Sequence, residues 1–383
     1  MKLSEKQEDI FDEIREFLLK SDEPLFVFSG VAGSGKSTII NQIVDLFTKD
    51  YKKRVAVLAY TGKAAKVLRS KGVCGAQTIH SYLYDPIVDQ MGNLIGFTKK
   101  RAEDFTEDYI IIDEGSMVPE ELLKDLYSLN RKILLVGDVN QLPPITKDEF
   151  NPMEYFNVRL EEIHRQAEDN PIIQLSQHIL HEGMLPQKVD NEFVRYIRLG
   201  ETEKHLLAHG DLYETILCGT NKIRTKLNKT MRKFHGFKDR LPEVGEKVIC
   251  LRNNTRNGKE LYNGDIATIM RRHTLNHGKN IDLSQYSMLL DNGEYCDCIV
   301  DDDIWFNGYS KHNHIDVPSD DGGMERRFLD KFDLGSCVSV WKSQGSEYKN
   351  LLFYDENVSY FVDRTKFRYT AVTRAKEKIT IAR

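Results

Sequence analysis

The sequence predicts an α/β chain with two parallel sheets, a small hairpin inserted in its first half and an all-β segment inserted in its second. Three observations predict it. Short continuous apolar runs alternate with helical periodicity, the signature of strands covered by helices on both faces. A second alternating set begins near Val158 and resumes at Cys337. Between residues 241 and 330 the texture changes to short β-rich runs broken by Asn-Gly turns.

Residues 4–20 read as an amphipathic helix, with Ile10, Phe11, Ile14, Phe17 and Leu18 at helical spacing and Ser4 with Gln7 as a capping box. A buried strand at 25–29 leads into a glycine-rich loop and a helix at 37–48. A strand at 55–59, a helix at 63–70, a strand at 109–113, a proline-opened helix at 119–129 and a strand at 133–136 follow. Residues 84–105 hold IVDQ, a Met91-Gly92-Asn93 turn and LIGF, which predicts a hairpin. The second set has a helix at 172–179, a strand at 215–218, a basic helix at 221–233, strands at 337–340 and 351–354, a helix at 367–375 and a last strand at 378–382. EKVICL, DIATIM, YSMLL and YCDCIV, with turns at Asn263-Gly264 and Asn292-Gly293, form the β insert. The chain thus divides into 1–83 with 106–155, the hairpin 84–105, 156–240 with 331–383, and the insert 241–330.

Composition bounds the function. Apolar residues make up 40% of the 383, which excludes a mainly disordered chain. No apolar run approaches the roughly 18–20 residues of a membrane span, and MKLSEKQEDIF is too polar for a signal peptide. Six cysteines without a regular framework fit a reducing, cytoplasmic setting, and Cys296 and Cys298 lack a second pair at zinc spacing. The net charge of −5 excludes nucleic-acid binding by bulk charge; such binding needs local patches, backbone donors and stacking. The best local basic patch runs from Lys222 to Arg240, where a solvated helix face is an equal explanation.

GVAGSGKS, Gly30 to Ser37, fits the phosphate-loop pattern between a predicted strand and a predicted helix. Gly30, Gly33 and Gly35 let the backbone of this loop, with Ser34 and the following Thr38, turn N–H groups onto phosphate oxygens at a helix N-terminus. Lys36 reaches the β- and γ-phosphates of ATP, and Ser37 ligates Mg²⁺. In YIIIDEGSM, Asp113 and Glu114 end a buried strand; Asp113 holds the metal and Glu114 orients or deprotonates the attacking water. A carboxylate in that position points to hydrolysis. Gln141, in ILLVGDVNQLPPI, is either a γ-phosphate contact or a surface amide. Arg165 in LEEIHRQ and Arg374 in YTAVTRAKEK are either transition-state guanidinium groups or surface ion-pair partners; spacing alone does not bring them to the phosphates.

The ordered blocks GVAGSGKS, AYTGKAAKVLR, AQTIHSYL, IIIDEGSM, VGDVNQLPPI, LEEIHRQ, VWKSQGSEY and YTAVTRAK resemble the superfamily 1 helicases, in the branch containing RecD and the phage Dda helicase. The resemblance covers both α/β halves. It implies two RecA-like motor domains with ATP and Mg²⁺ between them, and the roles just given for Lys36, Ser37, Asp113, Glu114, Gln141, Arg165 and Arg374. It makes Gln7 an adenine contact, in competition with helix capping, and Glu347 a ribose contact. It supplies a second substrate, single-stranded DNA, held by Thr61, Lys63, Thr78, His80, Ser339, Lys342 and Ser343. Trp341 stands where relatives commonly have His; it either stacks on a base or belongs to the core. The insert resembles an SH3-like β-barrel, and the hairpin a strand-separating pin with Phe97 as wedge or as packing.

The expectation is an ATP-dependent helicase that moves 5′→3′ on single-stranded DNA and opens duplex at single-strand/duplex junctions. It is expected to act as a monomer, with replication or recombination proteins as further partners and no membrane. The alternatives are a strand-binding ATPase subunit of a larger repair complex that unwinds little alone, and an RNA helicase of the same superfamily.

Overall fold

The central strands of the first half send alternate side chains to opposite faces, and helices cover both faces. The computed structural model describes residues 3–88, 94–144, 150–162, 169–189, 191–254, 260–277, 281–307, 312–318, 324–358 and 362–383. Helix α1 (Glu5–Lys20) starts at Ser4, whose hydroxyl accepts from Gln7 N–H while Gln7 Oε1 accepts from Ser4 N–H, the capping box read from the sequence. Strand β1 (Leu25–Gly30), α2 (Lys36–Asp45), β2 (Val55–Ala59), α3 (Gly62–Ser70), β3 (Gln77–Thr78) and α4 (Ile79–Leu83) follow. A hairpin of β4 (Tyr84–Val88) and β5 (Leu94–Lys99) comes next, and its Met91-Gly92-Asn93 turn lies outside the described residues. The chain returns through β6 (Tyr109–Asp113), α5 (Glu120–Tyr127), β7 (Lys132–Gly137) and β8 (Val158–Leu160).

These strands pair in parallel in the order β3-β2-β6-β7-β1-β8. On one face Phe26, Phe28, Ile111, Leu134 and Val136 pack with Ile14 of α1 and Ile39 of α2. On the other, Val27, Ile110, Ile112, Ile133 and Leu135 pack with Leu83 of α4 and Leu123 of α5. One boundary moves. The sequence reading starts the second half at 156, but β8 pairs with β1, Phe28 against Val158 and Gly30 against Leu160, and so completes the first sheet. A strand this short has too little periodicity to reveal its partner.

The second lobe holds α6 (Pro171–Glu182), β9 (Val194–Ile197), α7 (Thr202–His209), β10 (Thr215–Cys218) and α8 (Asn221–His235). The insert follows as β11 (Lys247–Cys250), β12 (Ile266–His277), β13 (Ile281–Leu290), β14 (Tyr295–Asp301), α9 (Asp303–Asn307), β15 (His314–Pro318), β16 (Met324–Phe328) and β17 (Phe332–Leu334). Then β18 (Cys337–Ser339), β19 (Tyr348–Tyr354), α10 (Arg364–Val372) and β20 (Ala375–Ala382) complete a parallel sheet of order β18-β10-β19-β20-β9. The insert is a separate antiparallel sheet, β14-β13-β12-β11-β17. The expected Asn292-Gly293 turn joins β13 to β14, with Gly293 at φ +85°. The insert runs past the expected residue 330, because Val248 of β11 pairs with Leu334. Among the described residues no helix is long and apolar enough to cross a membrane.

Candidate nucleotide cleft and strand-facing groove

Residues 31–35 connect the end of β1 to the N-terminus of α2. Gly33 and Gly35 adopt φ of +80° and +90°, conformations that residues with side chains rarely take. Gly30 is required by close approach: a Cβ there would lie 2.8 Å from both Lys36 Cγ and Ser34 Oγ. Lys36 Nζ donates to the Gly30 and Val31 carbonyls at 2.5 and 3.0 Å, which folds its charge over the loop. Ser37 and Thr38 lie in the first turn of α2, where Thr38 N–H donates to Gly35 O at 3.0 Å. Ser34 Oγ is buried without a hydrogen-bond partner, an orphan that fits a loop made to hold a polar ligand. Gln7 is buried, caps α1 and donates from Nε2 to Ser34 O at 2.8 Å, so the capping role is realised and the side chain also touches the loop.

Asp113 ends β6, and Glu114 follows at φ +55°, an uncommon backbone for a residue with a side chain. Glu114 N–H donates to Asp113 Oδ1 at 2.9 Å. Burial pushes both carboxyls above the ordinary range, and the charge of Asp113 pushes Glu114 further. The positive charges of Arg374 and Lys36 pull Glu114 back down.

Arg374 leads from α10 into β20 and is nearly buried; its guanidinium donates to Thr370 O at 3.2 Å and to Ser346 O and Thr373 Oγ1 at 3.3 Å. It is a cleft residue, and the surface ion-pair reading falls. Gln141 is also buried, and its Oε1 has no hydrogen-bond partner among the described residues, so it is no surface amide. Its neighbour Leu142 is buried in the core of the second lobe. There Leu142 N–H donates to Thr370 Oγ1 at 2.9 Å, and its carbonyl accepts from Gln344 Nε2 at 2.8 Å. Arg165 lies outside the described residues. Glu347 is exposed and pairs with Lys376 at 2.8 Å.

Sequence reasoning missed Tyr369. Its hydroxyl accepts from Ala32 N–H in the phosphate loop at 2.9 Å and donates to Asp138 Oδ2 at 2.6 Å. The available signal was an aromatic hydroxyl inside YTAVTRAK, but nothing in that block says which way the ring points.

The residues expected to face a strand are more scattered. Thr61 caps α3 by accepting from Ala64 N–H at 3.1 Å, and Thr78 caps α4 by accepting from Ser81 N–H at 3.1 Å. Lys63, expected to hold a strand phosphate, lies beside the second lobe. Its Nζ lies 5.9 Å from the Tyr348 ring centre; burial lowers its pKa, and Asp291, Asp265 and Glu214 oppose that shift. Ser343 is fully buried, and its hydroxyl donates to Val340 O at 2.7 Å. Trp341 packs on the second core with its ring 6.0 Å from Phe367, the core alternative. Ser339 Oγ accepts from Lys342 N–H at 3.4 Å, and burial lowers the Lys342 pKa.

His80 and Phe97 do meet. Their rings stand edge to face at 4.3 Å, and both line a cavity of about 490 Å³ with Arg69, Thr78, Arg252 and Tyr262. Phe97 is half exposed and sits opposite Pro86, on a strand of the hairpin. Tyr262 of the insert is a second missed residue. Its ring covers Gly62 so closely that a Cβ there would lie 2.2 Å from it, and its hydroxyl accepts from Arg69 Nη2 at 3.2 Å.

Comparison with known proteins now bears on this geometry. Residues 2–196 match the family model described as AAA domain. A Deinococcus radiodurans protein named ATP-dependent RecD2 DNA helicase is 33% identical over 188 residues, 47% of this chain and 24% of that protein. The ATP-dependent DNA helicase dda of Enterobacteria phage T4 is 27% identical over 271 residues, 64% of this chain and 60% of that protein. The crystal structure of Pif1 helicase from Candida albicans superposes with a TM-score of 0.58 at 20% identity, covering 100% of this chain and 94% of that one, which shows a shared fold. The chain spans 24%, 36% and 27% of the length of three curated relatives that it matches.

Proposed function

The chain belongs to the AAA domain family, and we propose that it is a superfamily 1 helicase of the RecD/Pif1 branch, an ATP-dependent motor that moves along single-stranded DNA and unwinds duplex. One observation carries the reading: Tyr369 and Thr370 of α10 in the second lobe accept hydrogen bonds from Ala32 of the phosphate loop and from Leu142 beside Gln141 in the first, so a single cleft is lined from two lobes. A triphosphate in such a cleft links the lobes, and its hydrolysis removes the link. Lys36 neutralises phosphate charge, Glu114 takes the proton of the attacking water, Gln141 orients that water, and Arg374 stabilises the charge that develops on the transferred phosphoryl group.

The donor set also fits Mg²⁺, a hard cation that takes few protein oxygens. Asp113 supplies a carboxylate beside the loop and Ser37 a hydroxyl, and the metal would supply charge neutralisation there.

We read the hairpin β4–β5 as the strand-separating pin, the insert as the SH3-like subdomain, and the cavity beside His80 and Phe97 as part of the strand path. The resemblance to RecD and Dda supplies 5′→3′ movement, and also a chain that works alone or beside replication or recombination proteins. The test is ATP hydrolysis with and without single-stranded DNA, alongside unwinding of 5′- and 3′-tailed duplexes. Lys36→Ala is expected to abolish strand-stimulated hydrolysis; retained turnover would remove the assigned site, and stimulation by RNA alone would replace the substrate.

A further inference from the structure

Resting on that reading of the cleft, we propose that Tyr369 is a positioning residue for ATP hydrolysis, whose hydroxyl ties the second lobe to the phosphate loop and to the Asp138 turn and releases the Ala32 amide when a triphosphate fills the loop. Tyr369 lies on α10 and is fully buried, so water does not serve its hydroxyl. Both of its hydrogen bonds cross to the first lobe, one to Ala32 N–H and one to Asp138 Oδ2.

The two bonds have different fates. Ala32 lies between Gly30 and Lys36, in the stretch whose amides face phosphate, and an amide has one proton to give. A phosphate oxygen on the loop competes with the phenol for that proton and, being charged, makes the stronger bond. The bond to Asp138 has no such competitor. Asp138 is buried, and its other oxygen accepts from Asn140 N–H at 3.0 Å. That pair shapes the turn presenting Gln141, whose own N–H donates to Asp138 O at 3.1 Å.

Tyr369 thus fixes the turn that carries one expected catalytic group. It is also continuous with the segment that carries another: Arg374 Nε donates to the carbonyl of the adjacent Thr370. Two further bonds between the lobes, Thr370 and Gln344 to Leu142, reach the far end of that turn. Tyr369 touches the phosphate loop itself. Arrival of a triphosphate is therefore felt by the Arg374 segment through one hydroxyl.

The experiment is Tyr369→Phe, which keeps the ring packing and removes both bonds. Strand-stimulated kcat is expected to fall by about 10- to 100-fold, the usual scale for loss of precise positioning. Because the phenol no longer competes for the Ala32 amide, binding of a non-hydrolysable ATP analogue is expected to tighten about threefold relative to a fluorescent ADP. A purely structural role would lower the melting temperature and leave that ratio alone. An unchanged ratio or an unchanged kcat overturns the proposal. Asp138→Asn weakens the same tie from the other side and serves if Tyr369→Phe does not fold. Its loss of kcat should be non-additive with that of Tyr369→Phe, and simple additivity overturns the direct link. Wild-type chain without strand-stimulated hydrolysis would sink the motor reading itself, so the two failures are separate.

Discussion

The proposed nucleotide cleft and the proposed strand groove are built in opposite ways, the first between the two lobes and the cavity of the second between the first lobe and the insert. In the cleft the backbone is committed: Gly33, Gly35 and Glu114 hold positive φ, and Ser34 Oγ and Gln141 Oε1 are left without hydrogen-bond partners among the described residues. Along the groove the side chains are committed: Thr61 and Thr78 cap helices, Ser343 serves Val340, and Lys63 lies against the Tyr348 ring. The difference suits the two ligands proposed above. A triphosphate is small and always the same, so a rigid cradle can be shaped for it in advance. A strand must be held and released in every cycle, and groups with protein partners to return to exchange more readily than orphans.

The sharpest way to break this comparison is Glu114→Gln. It keeps size and backbone and removes the base, so kcat is expected to fall about 10²–10⁴-fold with nucleotide binding retained, as read by turnover and by a fluorescent nucleotide. Its pH dependence carries a sign. The ionised form acts, and burial raises its pKa, so wild-type kcat should fade on acidification at a pH above the ordinary glutamate range. A normal acid limb would place the base elsewhere.

Next comes the groove. Gly62→Ala puts a methyl group 2.2 Å from the Tyr262 ring, and chemical denaturation is expected to show about 1–3 kcal/mol of lost stability. Adding Tyr262→Ala should recover most of it; no recovery would mean the ring is not what the glycine accommodates. The smallest effect is at Lys66, which pairs with Glu294 of the insert at 3.1 Å near the surface. Lys66→Ala should change stability by less than about 1 kcal/mol, and a larger loss would make that pair a true fastening between α3 and the insert.

What the sequence made legible follows the same division. GVAGSGKS could be read because a phosphate loop is local: its glycine dihedrals and its lysine lie within eight neighbouring residues. Asp113 and Glu114 were legible because an apolar strand announces its own end. The two sheets followed from alternation. The residues that cross between lobes were not legible. Tyr369 and Tyr262 are ordinary aromatics in sequence, and only the fold sends one hydroxyl to Ala32 and lays the other ring on Gly62. The surroundings of Lys63 were hidden for the same reason, because Tyr348, whose ring centre lies 5.9 Å from its Nζ, arrives from far along the chain. Strand β8 was assigned to the wrong half because Val158 and Leu160 carry no mark of the partner they find in β1.

The insert's entry and exit have an engineering consequence. β11 and β17 are adjacent antiparallel partners, and Gly335 N–H donates to Lys247 O at 2.8 Å. The polypeptide therefore leaves the second lobe and re-enters it through one doorway, closed so tightly that a methyl group on Gly335 would lie 2.6 Å from the Val248 carbonyl carbon. A relative's insert exchanged at this doorway must bring apolar side chains in place of Ile249 and Ile266, which are buried in the core of the second lobe.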